Sequence, residues 1–125
     1  MTIYKKFVNT YTYIDFFFNL WKNKSIYIFE SNHNADMLIN GKYPPWLKRR
    51  VASDVGHLSN ESSSFYLSKL IGENTKEIIL AHLSEENNTP EIALATLKEE
   101  FLTHEIDFTN IIAAKQNEIS GTIEL

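Results

Sequence analysis

The chain has 125 residues, 43% of them hydrophobic and 22% charged, with a net charge of −4. That size and balance predict one domain, or part of one, with a real core, and they exclude wholesale disorder. The absence of cysteine excludes disulfides and thiolate metal sites and fits a reducing compartment, while the mild acidity offers no global attraction to nucleic acid or anionic membrane.

From the N-terminus, Lys5 and Lys6 precede an aromatic stretch, Thr12 to Trp21, that is interrupted by Asp15 and Asn19 and followed by no small-residue cleavage site. This pattern disfavours a signal peptide. No run approaches the roughly 18 apolar residues of a membrane span, so a cytoplasmic chain without membrane contact is expected. Ile14, Phe17, Phe18 and Trp21 share one helical face and predict a short amphipathic helix over 12–22. Ser25 to Phe29 is a β-branched and aromatic run that predicts a buried strand. It breaks into Glu30-Ser31-Asn32-His33-Asn34, and ligands of α/β sheets gather past the carboxyl ends of strands.

Gly41 to Pro45 is a loop, since paired prolines continue neither regular structure. Trp46 to Ala52 makes a brief basic helix with Lys48, Arg49 and Arg50. After the turn Gly56 to Asn60, Ser59 is a good N-cap for a helix whose apolar stripe is Phe65, Leu67, Leu70 and Ile71, ended by Gly72 at C′. Glu77 to Leu83 predicts a second buried strand, again running into polar residues. Thr89-Pro90-Glu91 opens another helix with a cap, a proline at N1 and an early acid, and Ile92, Ala93, Leu97, Phe101 and Leu102 form its core face. Ile111–Ala114 and Thr122–Leu125 are candidate terminal strands around 117–121. Strand alternating with helix predicts an α/β fold.

Of four histidines, three occupy comparable positions. His33 follows a strand, His57 sits in a glycine-containing turn before a helix, and His82 lies at the end of the next strand. Imidazole there can bind a divalent metal or move a proton near neutral pH. A lone histidine at such a position is most simply satisfied by a backbone carbonyl; three together favour a shared site. His104, among Glu99, Glu100 and Glu105, reads as a surface residue. The chain has no HxH pair, no HExxH and no cysteine pair, so spacing alone gives an incomplete metal site.

Residues 29–60, FESNHNADMLINGKYPPWLKRRVASDVGHLSN, and 78–90, IILAHLSEENNTP, together resemble the C-terminal part of the WalJ/YycJ branch of the metallo-β-lactamase-fold hydrolases. The resemblance runs from Ser25 to Leu102. It implies the C-terminal half of an αββα sandwich, truncated, with 25–125 as a partial domain and 1–24 as a degenerate N-terminal segment. It also implies a metal-dependent nuclease ancestry with DNA exonuclease activity. Carried over by position, His82 corresponds to the last metal-ligand histidine of the fold. His57 corresponds to the histidine that assists phosphate or leaving-group chemistry, and Glu30 and His33 to the element that supports it. Lys48, Arg49 and Arg50 are candidates for the nucleic-acid backbone, with a solvated helix face as the plain alternative.

The departures from that pattern are as informative. The HxHxDH metal motif belongs to the N-terminal half and is absent from these residues. Asn9 to Ile14 resembles a degraded TDTGY string with Tyr11 in place of the bridging aspartate, and Asn34 replaces an acid. Zinc or manganese is expected in intact relatives, but no metal is expected to be held stably by this chain alone. Two functions follow. The chain is a fragment of a phosphodiesterase, inactive without a separate N-terminal half. Alternatively, it is a non-catalytic module that pairs with itself or a partner through an exposed sheet face.

Overall fold

The computed structural model describes residues 2–4, 19–53 and 55–115. Among the described residues the fold is α/β, with four parallel strands in one sheet, in spatial order β1 (Thr2–Tyr4), β2 (Ile26–Glu30), β3 (Glu77–Ala81) and β4 (Ile111–Ala113). Parallel neighbours need crossover connections, which helices usually supply. Between β2 and β3 run α1 (Ala35–Asn40), α2 (Pro45–Ala52) and α3 (Asn60–Leu70); between β3 and β4 runs α4 (Pro90–Thr103).

The register places Tyr27 opposite Ile78 and Phe29 opposite Leu80, with Ile111 beside Ile78 in turn. Side chains alternate between sheet faces, so these five share one face. Leu67 and Leu70 of α3 and Ala93, Leu97 and Phe101 of α4 close over it, and all ten are buried. Ile28, Ile79 and Ile112 point to the other face and are half-buried.

Local chemistry explains where the helices start. The Ser59 hydroxyl accepts from the Ser62 amide at 3.1 Å and the Thr89 hydroxyl from the Ile92 amide at 3.1 Å, each satisfying a donor that the helix cannot. Pro45 and Pro90 occupy the first helical turns, where the missing N–H costs nothing. Asn34, the position at which an acid was expected from the resemblance, caps α1 by accepting from the Met37 amide at 2.9 Å.

Several expectations need correction. Phe65 and Leu102, assigned to core faces, are 47% and 79% exposed. Phe65 lies on the side of α3 turned from the sheet, and Leu102 follows buried Phe101 by 100° of helix rotation. The second strand stops at Ala81, not Leu83, because His82 turns the chain with φ of 59°. Gly72 follows the C-cap Ile71 as expected, but its backbone is not left-handed. A Cβ there would lie 2.4 Å from Asn23 Oδ1, so close approach is what demands glycine.

Of the predicted helix 12–22, residues 19–21 are helical and Trp21 packs on the core. Ile14, Phe17 and Phe18 lie outside the described residues, as do Tyr11 and both the loop 117–121 and the terminal run 122–125. No helix among the described residues is long and apolar enough to cross a membrane.

Candidate functional site

Glu30 ends β2 with its side chain 8% exposed. One carboxylate oxygen accepts the Leu58 amide at 2.7 Å. The other meets Nδ1 of His57 at 3.1 Å and Nδ1 of His82 at 2.5 Å. Burial alone would raise this carboxyl, but the hydrogen bonds from His82, the Leu58 amide and His57 outweigh it and hold the group below the ordinary carboxylate range. An ionised carboxylate facing both Nδ1 atoms fixes the Nδ1–H form of each ring and leaves Nε2 for a ligand. The two rings are 5.0 Å apart, centroid to centroid. The three residues offer ligand atoms all within 4.8 Å of one another.

Each ring is delivered by backbone geometry. The His57 amide donates to the Val51 carbonyl at 2.9 Å, folding the turn back on the end of α2. A Cβ on Gly56 would sit 2.2 Å from the Arg50 carbonyl oxygen, so only glycine allows that approach. His82 reaches Glu30 from a left-handed backbone, a conformation that costs a non-glycine residue of order 1–2 kcal/mol and persists where surrounding structure enforces it.

The enforcing structure is an asparagine network. The Asn60 and Asn88 amides pair reciprocally at 2.8 and 2.9 Å. Asn88 also donates to the carbonyls of Ser31 and Asn32, and Ser31 Oγ donates to Asn60 Oδ1 at 2.6 Å. The Asn32 side chain holds the His82 carbonyl at 2.8 Å, while its own carbonyl accepts the Ser84 amide. The polar strings after the two strands and before α3 are thus one buried scaffold under the histidines.

Other expected site residues fall differently. His33 is 3% exposed and is not in the three-residue cluster; its ring meets Asn32 Oδ1 at 3.2 Å and its carbonyl accepts the Asn60 amide at 2.7 Å, which anchors the start of α3. Lys48 spends its ammonium on the Ile39 carbonyl at 2.7 Å. Arg49 and Arg50 are exposed. His104 pairs with Glu100 at 2.9 Å on the surface.

Beside the histidines opens a cleft of about 350 Å³. His57, His82 and Asn32 form one side, Tyr43, Leu47 and Val51 another, and Ser84 to Asn87 a third. Lys42 pairs with Glu86 at 3.1 Å at its rim. Asn87 is buried, and its side-chain nitrogen has no hydrogen-bond partner among the described residues. Sequence reasoning passed over Tyr43, Leu47 and Val51. The i, i+4 spacing of the last two on a helix that also carries three cations was the available signal.

Comparison with known proteins agrees in one respect and is silent in two. No family profile matches the chain, and no solved structure does. The chain is 47% identical over 66 residues to exodeoxyribonuclease YycJ of Bacillus anthracis, a stretch that is 53% of this chain and 25% of that protein. It is 44% identical over 66 residues to exodeoxyribonuclease WalJ of two Streptococcus pneumoniae strains, covering 24% of each. The matched stretch therefore spans about a quarter of the length of these relatives. Within it, the chain is similar to exodeoxyribonucleases YycJ and WalJ.

Proposed function

We propose that this chain is part of a metal-dependent phosphodiesterase of the metallo-β-lactamase superfamily, with DNA as substrate, and that it is inactive alone. The observation that carries this reading is the single buried carboxylate of Glu30 joining two imidazoles at one cleft. An imidazole nitrogen of His82, its ring held by the Glu30 carboxylate, is a donor that suits zinc or manganese. A bound metal would supply Lewis-acid polarisation of a phosphoryl oxygen and an activated water.

In this reading His82 ligates the metal through Nε2. His57 would serve through Nε2 as the proton-transfer group for the phosphoryl oxygens or the departing oxygen. Glu30 orients both rings. A catalytic zinc uses three protein ligands, more than this cluster presents once Glu30 is engaged by its hydrogen bonds. The remaining ligands would come from an HxHxDH-bearing segment outside these residues, with 25–125 as the partial domain that docks against it. The names of the similar exodeoxyribonucleases support DNA as the substrate class.

Calorimetric titration with zinc and with manganese tests the ligand count. Weak, substoichiometric binding is expected, and tight one-to-one binding by the chain alone would overturn it. Supplying an HxHxDH-bearing half should restore metal binding and cleavage of labelled DNA. In that pair, H82A should lose the metal, whereas H57A should keep it and lose cleavage. The rival reading, a non-catalytic pairing module, draws support from the half-buried isoleucines on the second sheet face. Sedimentation that finds a compact monomer counts against it.

A further inference from the structure

The helix that walls the cleft has a second face. Leu47 and Val51 of α2 line the cleft, while Trp46, Arg49 and Arg50, at i, i+3 and i+4, share a separate, solvent-facing side. Trp46 is 59% exposed and both arginines are exposed. No carboxylate among the described residues pairs with either guanidinium. The sequence of α2, PWLKRRVA, holds three cations and no acid in a chain whose net charge is −4. Positive charge is therefore concentrated on this helix, whereas the cleft rim carries Glu85 and Glu86.

We propose that the outer face of α2 is a platform for single-stranded nucleic acid, with a base stacked on the Trp46 indole and phosphates held by Arg49 and Arg50. An exposed aromatic beside cations is the combination that binds single strands without reading sequence, because every base offers a π-face and every linkage a charge. Lys48 takes no part, being committed to the Ile39 carbonyl. The helix is only about 10 Å across, so a strand held on this face lies within about one helix diameter of the cleft that Leu47 and Val51 line. The inference rests on the nuclease reading of that cleft, but it is tested separately.

Fluorescence anisotropy with labelled oligo-thymidylate on the 125-residue chain provides the test. W46A should weaken binding about tenfold, within the range of one stacked base, and W46F should stay within a few-fold of wild type. The double variant R49Q/R50Q should lower the slope of log affinity against log salt by roughly 1.4, from two contacts at about 0.7 each. Indole fluorescence should be quenched by the oligonucleotide, and that quench should be lost in W46F. Zinc titration of W46A, which probes the histidines, should match wild type, so failure of the platform and failure of the metal reading are told apart. Unchanged affinity in W46A would overturn the proposal. So would equal binding of a duplex, whose bases are not free to stack, or conversion of a dimer to a monomer by W46A, which would make this face a self-association surface.

Discussion

At the scale of single residues, two side chains are bound to their backbone in ways that give signed predictions. His82 has φ of 59°, so the usual ranking of alanine over glycine should invert there. Both H82A and H82G lose the bond to Glu30, but only alanine pays the left-handed penalty, and H82G should be the more stable by about 1 kcal/mol in urea unfolding. Equal stability, or alanine ahead, would mean that the turn relaxes once the ring is gone. Tyr27 is fully buried. Its hydroxyl lies 2.5 Å from the Trp21 carbonyl and 2.9 Å from that of Leu70, and accepts the Lys24 amide at 3.1 Å. Burial raises its pKa above the ordinary value, against the pull of the backbone amides. A raised folded value means that the unfolded chain releases the proton first as pH climbs. The contribution of Tyr27 to stability is therefore complete below about pH 10 and is lost above it, toward the folded value. Y27F should lack that alkaline loss, while being less stable at neutral pH by about 1–3 kcal/mol because a buried carbonyl loses its donor.

At the scale of elements, most of the structure was legible in the sequence, because the signals were local. Ser59 and Thr89 cap the helices they were expected to cap, and the strand at Ser25–Phe29 is displaced by one residue. The faces of α3 and α4 were less legible. Periodicity names the apolar residues, but only the sheet decides which of them meet it, and Phe65 and Leu102 do not. The asparagines were the opposite case. Each resembles ordinary loop polarity in the sequence, and their purpose exists only when β2, β3 and the start of α3 converge. The reciprocal Asn60–Asn88 pair gives this a measurable form. N60A and N88A should each cost about 1–3 kcal/mol through unsatisfied buried partners. The double variant should cost less than their sum, with a coupling of about 0.5–3 kcal/mol. Strict additivity would deny that the two amides form one unit.

At the scale of the whole molecule, the sheet divides the chain into unequal halves, and core substitutions can measure the inequality. On one face Phe101 is 2% exposed in the last full turn of α4 and meets Phe108 edge-on at 6.4 Å, on the segment that leads into β4. Removing that ring leaves a cavity between α4 and the sheet and unpins the return to β4, and F101A should cost about 3–5 kcal/mol. Small domains have only about 5–15 kcal/mol in total, so F101A should be mostly unfolded in modest urea. On the other face Ile79 is half-buried at the centre of the sheet, where water already reaches part of the side chain. A truncated side chain there loses less apolar burial and leaves no closed cavity, so I79A should cost well under half as much as F101A. If the two variants fell equally in urea midpoint at unchanged m, the second face would be as tightly packed as the first. The reading of this chain as one side of a larger sandwich would then lose its physical basis.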